Sequence, residues 1–241
     1  MKFQDNFSET HLLFNINVDF IIYDEQKQNN IQYFQLVLPT FRDCYFDYRI
    51  QNFLYIINAP LQDITKNIKG ISDIKSLFVL CKNLYAFSDA NLFYHDVIKY
   101  SLNKFLPQLE YDNYNLQICG YTVTQELFDR IITLLLIAAG QKKLSELSII
   151  DPAMREAQER INKIKKQKQN NVAGGFSSFN DSYMILTYEF HYTPEQILNM
   201  TMYCINTILK YTSKSINYKI SLIGAGNGLS KKVHFITEKG K

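Results

Sequence analysis

The feature that most constrains the fold is a change in hydrophobic period near residue 40. Before that point apolar and polar residues alternate, as they do in a half-buried β-strand. Two alternating stretches cover residues 13–22 and 31–38, and the polar sequence DEQKQNN at 24–30 separates them. We therefore predict an N-terminal β-hairpin with a loop longer than two residues. It ends at Pro39, because proline has no amide hydrogen to give to a strand ladder.

After Pro39 the apolar residues recur at intervals of three and four, which is the spacing of an amphipathic helix. This spacing predicts one helix over residues 41–57, ended by Asn58, Ala59 and Pro60. Its buried side, which we expect to pack on the hairpin, would consist of Tyr45, Phe46, Ile50, Phe53, Leu54 and Ile57.

The next hundred residues continue the helical pattern with one interruption. Helices are predicted at 71–87 and 89–105, and the second would begin at a Ser88-Asp89 cap. Residues 114–123 are typical of a strand, and Thr122 with Gln125 forms a capping-box pattern for a helix that runs to Gly140. The predicted fold class is therefore α+β, mostly helical.

The composition changes at Asp151-Pro152, a cap followed by proline at the first helical position. A charged helix follows, and residues 169–178 hold the glycines and small polar side chains of a flexible linker. We predict a main α+β domain at 1–150, a charged helix with a Gly/Ser linker at 151–178, and a small helical C-terminal module with a basic tail at 179–241.

Within the predicted C-terminal module, the sequence Thr193-Pro194-Glu195-Gln196 is the strongest helix start in the chain. The preceding residues 183–190 would supply the first arm of a helical hairpin. Residues 218–223, YKISLI, are strand-like and precede a glycine-rich turn.

Bulk properties exclude some classes of protein. The hydrophobic fraction of 46% excludes a disordered chain, and a net charge of +3 is too balanced to indicate a nucleic-acid or membrane partner by itself. Four scattered cysteines without a signal peptide are typical of reduced intracellular thiols.

The longest apolar run, 131–139, is about half of the roughly 20 residues that a bilayer-spanning helix requires. We expect a soluble protein with no membrane partner.

No motif indicates catalysis or a cofactor. The spacings of the cysteines and histidines fit no metal-ligand pattern, and no nucleophile elbow is present. Glycines 224, 226 and 228 resemble a phosphate-binding loop, but Leu229 stands where a dinucleotide fingerprint has glycine. The prediction is a non-enzymatic protein without cofactor or metal.

A basic stretch lies in the predicted charged helix, at Arg155, Arg160, Lys163, Lys165, Lys166 and Lys168. It could contact nucleic acid through phosphates. The stretch has no aromatic residue to stack on bases, so the sequence makes nucleic acid an unfavoured partner.

The order of segments carries a family resemblance. The chain has LPTFRDCYFDYRIQNFLYII, then TVTQELFDRIITLLLIAAG, then DPAMREAQERINKIKKQK with a Gly-Ser linker, and ends in LTYEFHYTPEQILNMTMYCINTILKYTSKSINYKISLIGAGNGLSKKVHFI. In this order it resembles tail-assembly chaperones of phages that infect Gram-positive hosts. The resemblance implies a non-enzymatic protein of the host cytoplasm that binds tape-measure or tail-tube subunits. A second copy of this chain is a further candidate partner, independent of the resemblance.

Two alternative functions stay open beside the chaperone. One is a structural virion component such as a connector or baseplate subunit, and the other is a nucleic-acid-binding accessory protein. A structural subunit would remain in the finished particle, and a nucleic-acid contact would weaken strongly with salt.

Two groups of residues are candidate partner contacts. The first is the narrow apolar seam of the charged helix, which has coiled-coil spacing. The second is a methionine pair, methionine being adaptable to varied surfaces. The spacing by itself favours ordinary core for both, since buried helices show the same pattern. The candidates are Met154, Ala157, Ile161, Ile164, Met200 and Met202.

Overall fold

The computed structural model describes residues 2–23, 31–66, 68, 74–86, 91–112, 114–141 and 179–226. Its fold is α+β and mostly helical, with two small antiparallel sheets, which confirms the predicted fold class. By contact the chain divides into two compact units, Met1–Cys204 and Ile205–Lys241. The predicted charged helix and linker at 151–178 lie outside the described residues, so the predicted domain boundaries stay a prediction. Within the described residues no helix is long and apolar enough to cross a membrane.

The first sheet confirms the predicted hairpin and adds a third strand. Strands β1 (Lys2–Asp5), β2 (Val18–Tyr23) and β3 (Ile31–Leu36) pair in the order β1-β2-β3, with Phe20 opposite Phe34. Their rings lie 4.7 Å apart between centroids. One face of the sheet is buried through Val18, Phe20, Ile22, Phe34 and Leu36.

The predicted first strand was wrong at its start. Leu13 and Phe14 belong to a short helix, α1 (Glu9–Phe14), whose N-terminal Ser8 amide donates to Nδ1 of His11 at 3.1 Å. The helix ends at Asn15, which has a positive φ of 51°. Asparagine tolerates this left-handed conformation, and it redirects the chain into β2.

The predicted helix over 41–57 is two helices, α2 (Phe41–Phe46) and α3 (Tyr48–Asn58), followed by the short α4 (Leu61–Thr65). The break lies at Asp47, whose extended backbone ends α2 and whose side chain caps α3. A capping aspartate competes with the helical backbone for amide hydrogens, which the hydrophobic spacing alone does not reveal.

The two predicted middle helices are present but shorter. They are α5 (Leu77–Ala86) and α6 (Leu92–Phe105). The predicted Ser88-Asp89 cap lies outside the described residues, and Asn91 occupies the cap position of α6.

The predicted single strand at 114–123 is instead part of a second sheet. Strands β4 (Leu109–Asp112), β5 (Asn115–Ile118) and β6 (Tyr121–Thr122) pair in that order. Between β5 and β6 the residues Cys119 and Gly120 both have positive φ, 53° and 76°. Two consecutive positive φ values are what a tight two-residue hairpin turn requires.

Helix α7 (Gln125–Ala138) forms part of the core with Leu127, Phe128, Ile131, Ile132 and Leu135. Its cap is Thr124, whose hydroxyl accepts from the Leu127 amide at 3.3 Å, and not the predicted Thr122, which lies in β6. Gly140 follows the helix with a φ of 68°, as predicted for its C-terminal end.

The C-terminal part contains α8 (Phe179–Tyr188), α9 (Pro194–Asn199) and α10 (Met202–Gly226). The predicted helix start at Thr193 is confirmed, because its hydroxyl accepts from the Gln196 amide at 3.3 Å and the Gln196 side chain accepts from the Thr193 amide at 2.8 Å. The strand-like prediction for residues 218–223 was wrong, because they continue α10. Isoleucines 216, 220 and 223 recur at four and three, a helical period that outweighs their β-propensity.

Candidate interaction surface

The corner between α2 and α3 is held by side-chain hydrogen bonds to helix amides. Thr40 and Asp43 form a capping box at the start of α2, with the Thr40 amide donating to Asp43 Oδ2 at 2.9 Å. Asp47 Oδ1 then accepts from the amides of Arg49 and Ile50 at 3.1 and 3.4 Å. Two successive caps leave little freedom in the direction of α3.

Side chains of α6 and of the corner form a charged cluster. Lys104 forms an ion pair with the nearly buried Asp43, and its Nζ lies 3.6 Å from Asp47 Oδ2. The Tyr100 hydroxyl donates to the same Asp47 oxygen at 2.7 Å, and the Arg49 guanidinium lies 3.4 Å above the centre of the Tyr100 ring. The cluster fixes the corner to the core.

Burial alone would raise the pKa of Asp47, but hydrogen bonds from Tyr100, Ile50 and Arg49, together with the charge of Lys104, lower that pKa below its ordinary value. The hydrogen bond to Asp47 raises the pKa of Tyr100. The carboxylate therefore stays ionised and the phenol protonated at neutral pH, which is the arrangement that keeps the hydrogen bond between them.

Four aromatic side chains at this corner are exposed to water. We call Tyr45, Phe46, Tyr48 and Tyr55 the aromatic face. Tyr48 and Tyr55 are 59% and 64% exposed and lie seven residues apart, on one side of α3. The exposed positions from 45 to 60 are these four aromatics, Gln51 and Pro60, and none of these six is charged.

An open pocket of about 260 Å³ adjoins Tyr55. Its lining holds the side-chain amides of Gln51, Asn58 and Gln141 with the apolar Ala59 and Pro60. Asn58 Nδ2 donates to Gln141 Oε1 at 3.2 Å, so α3 and the end of α7 are joined at this point. The volume is slightly below that of typical small-molecule sites, roughly 300–1,000 Å³.

The candidate contacts predicted from the sequence have different outcomes. Met154, Ala157, Ile161 and Ile164 lie outside the described residues, and their role as a partner seam stays a prediction. Met200 and Met202 are half-buried at the junction of α9 and α10.

That junction attaches residues 194–204 to the N-terminal elements. The Met200 carbonyl accepts from the Phe41 amide at 2.6 Å, and the buried Thr201 hydroxyl donates to the Leu12 carbonyl at 2.6 Å. Arg42 and Glu195 add an exposed ion pair at 3.0 Å. A partner contact of Met200 and Met202 stays a prediction.

Sequence reasoning missed the aromatic face. It placed Tyr45 and Phe46 on the buried side of one continuous helix, whereas the break at Asp47 leaves both exposed. The remaining buried predictions, Ile50, Phe53, Leu54 and Ile57, are confirmed. One sequence pattern could have revealed the aromatic face. On the side of α3 opposite the buried residues, the helical period places Tyr48, Gln51 and Tyr55 together, and none of these three is charged.

All four cysteine thiols have a raised pKa, which keeps them protonated at neutral pH. Burial raises the pKa of Cys44 and of Cys81 to about 12, and it also raises the pKa of Cys119 and Cys204. Protonated thiols are poor nucleophiles. In the part of the chain that the structure describes, no group of three or more His, Cys, Asp or Glu side chains could hold a metal ion.

No protein-family model matches the chain, and comparisons with curated proteins and with solved structures gave no match either.

Proposed function

We propose that this chain is a non-enzymatic protein that binds another protein through its aromatic face. In this proposal it acts in the host cytoplasm as an assembly chaperone of a phage tail, and its client is a tape-measure or tail-tube subunit. The single observation that supports binding is the group of exposed aromatic side chains at the α2–α3 corner.

The composition of this surface is that of an interface core. Tyrosine and phenylalanine are enriched and charged residues are depleted at the centres of protein interfaces, where a few aromatic anchors carry most of the binding free energy. Tyr48 and Tyr55 expose more than half of their surface, and such large apolar groups gain most when a partner removes them from water.

The scaffold under the aromatic face supports the same proposal. Ile50, Phe53 and Leu54 anchor the opposite side of α3 in the core, and the Asp47 cap fixes where the helix starts. A surface that is already held in place loses less conformational entropy on binding, which favours affinity. A long helical client would place apolar side chains between Tyr48 and Tyr55 and one further side chain in the adjoining pocket.

The identity of the client rests on the resemblance to tail-assembly chaperones. The test is to co-express the tagged chain with the tape-measure protein or the tail-tube subunit of the same genome and to measure the client that copurifies. The variant Tyr48→Ala/Tyr55→Ala is expected to lower copurification by roughly tenfold or more, since an aromatic anchor contributes at least about 1–2 kcal/mol.

A matched control is available on the same chain. Tyr33 and Tyr114 are 61% and 78% exposed but lie in β3 and before β5, outside α2 and α3. Tyr33→Ala/Tyr114→Ala removes the same chemical groups and should leave copurification unchanged. Equal loss in both variants, or no loss in either, would refute binding through the aromatic face.

Two measurements distinguish the chaperone from the alternative functions: whether this chain is present in purified phage particles, and whether its binding depends on salt. A chaperone is absent from finished tails, and this chain at fixed stoichiometry in them would make it a structural component. Capture that collapses between low and high salt would instead indicate nucleic acid, because apolar contacts do not depend on counterion release.

A further inference from the structure

Basic residues are concentrated at the C-terminal end of the chain. Residues 205–241, the second compact unit, carry seven lysines and one glutamate, a net charge of +6. The preceding residues 1–204 carry 19 basic and 22 acidic residues, a net charge of −3. The total of +3 therefore conceals a strongly basic C-terminal unit, which attracts anions through its summed charge.

The described part of this unit is residues 205–226 of α10, in which buried and basic residues lie on opposite sides of the helix. Ile205 and Leu209 are 1% and 9% exposed and mark the buried side. Successive residues of an α-helix are about 100° apart, so Lys210 and Lys214 lie about 140° and 180° around the axis from Ile205. An anionic ligand can therefore reach both lysines without covering the apolar side.

An exposed tyrosine lies beside these two lysines. Tyr211 is 65% exposed, and Lys214 Nζ lies 5.7 Å from the centre of its ring. Lys210 directly precedes it in the helix and is also exposed. Helix α10 itself has no acidic residue. Two cationic side chains thus flank one exposed aromatic ring, which is the combination that the basic stretch at 155–168 lacks in its sequence.

We propose that this side of α10 binds single-stranded nucleic acid, with phosphates on Lys210 and Lys214 and one base stacked on Tyr211. Proteins that bind single strands without sequence preference combine a positively charged surface with aromatic side chains on which bases stack. A base is free to lie on Tyr211 only when it is outside a duplex, which is why the ligand is a single strand. The binding uses residues outside the aromatic face and does not rest on the proposed function.

Two other anionic surfaces fit this side of α10 less well. A helix that lies in a membrane surface inserts its apolar side between the lipids, but in α10 that side is buried at Ile205 and Leu209 and the two lysines lie opposite it. An acidic protein surface could pair with the lysines, but a carboxylate has no ring to stack on Tyr211. Each nucleotide carries both a phosphate and an aromatic base.

The test is the affinity of the purified full-length chain for a fluorescein-labelled oligothymidylate of about 15 nucleotides, which is within the site sizes of single-strand binders. Fluorescence anisotropy gives the association constant from about 0.05 M to about 0.2 M salt. For single strands each phosphate contact contributes about 0.7 to the slope of the logarithm of this constant against the logarithm of the salt concentration. The two lysines alone should therefore lower the affinity roughly sevenfold across this range.

Paired lysine variants make the test specific. Lys210→Gln/Lys214→Gln should reduce the slope by about 1.4, because two phosphate contacts are lost. Lys75→Gln/Lys99→Gln removes two exposed lysines outside residues 205–241 and changes the net charge by the same amount, so it should leave the slope unchanged.

Tyrosine variants test the stacked base. Tyr211→Ala should weaken binding by roughly fivefold or more, the lower end of what one stacked base contributes, whereas Tyr211→Phe keeps the ring and should keep the affinity. Tyr188→Ala removes a tyrosine of α8 that is 67% exposed and should not change the affinity. Circular dichroism checks that each variant keeps its helices.

Several results would overturn the proposal. One is no binding of the oligothymidylate at about 0.05 M salt with protein up to roughly 100 μM, the weak end of non-specific affinities. Another is an equal change of slope in the two lysine variants, because that would trace the effect to net charge and not to α10. Unchanged affinity in Tyr211→Ala would leave attraction by charge alone. Binding to phosphatidylserine vesicles but not to the oligothymidylate would assign α10 to a lipid surface.

Discussion

Replacing Lys104 by methionine tests the physical basis of the α2–α3 corner. The substitution keeps the apolar stem of the side chain and removes the charge that is paired with Asp43 and lies 3.6 Å from Asp47. Removing one partner of a buried ion pair costs about 3–5 kcal/mol, because the remaining charge is left uncompensated. Here the cost is smaller. The Lys104 side chain is 31% exposed, and Asp43 Oδ2 keeps its hydrogen bonds from the amide and hydroxyl of Thr40. We expect a destabilisation of about 2 kcal/mol.

The assay is urea denaturation at neutral pH followed by circular dichroism, with Lys66→Met as the matched control. Lys66 pairs with Asp63 at 3.2 Å, but both side chains are well exposed, so its loss should cost no more than about 0.5 kcal/mol. Adding Asp43→Asn to Lys104→Met should recover about 1 kcal/mol, because the unpaired charge is removed while the capping oxygen is kept. If Lys104→Met and Lys66→Met cost the same, the corner is not held by this ion pair and the reasoning is wrong.

Two further predictions concern other polar contacts. Thr201→Val should lower the free energy of unfolding by about 1–3 kcal/mol, as measured by urea denaturation. The reason is that the buried Leu12 carbonyl and the Cys204 amide both lose their hydrogen bond with the Thr201 hydroxyl. A change below about 0.5 kcal/mol would refute this. The hydrogen bond from Arg130 lowers the pKa of Asp5 below its ordinary value of 3.8, so the stability that Asp5 contributes is present above that value and is lost as pH falls through the folded pKa. Asp5→Asn should therefore weaken the pH dependence of the free energy of unfolding below about pH 5, as measured by urea denaturation across that range. If the variant and the unchanged chain show the same pH dependence, the prediction is wrong.

Sequence patterns were most successful where one local signal acts alone. Thr193 with Gln196 and the positive φ of Gly140 were both predicted, since a cap depends on a few neighbouring residues. The buried side of α3 also followed from its spacing, because the helical period does not depend on what covers it.

The errors occurred where two signals competed. Leu13 and Phe14 fit strand alternation as well as a helix, and the hydrogen bond between Ser8 and His11 favours the helix. At residues 41–57 the hydrophobic spacing continues through Asp47, but that side chain bonds to the amides of α3 and interrupts the helix. The exposure of Tyr45 and Phe46 follows from this break and could not be read from the spacing.

The sequence by itself determined the mixed and mostly helical class, the first hairpin and most helix positions. These properties depend on local period, capping and composition, which are written in consecutive residues. The tertiary structure decided where α2 ends, which aromatic side chains face water, and that Thr201 and Met200 bond to Leu12 and Phe41, more than 150 residues away in the chain. Such contacts form only when the whole core is packed, because the free energy that selects them is shared among distant residues and is not encoded by any one segment.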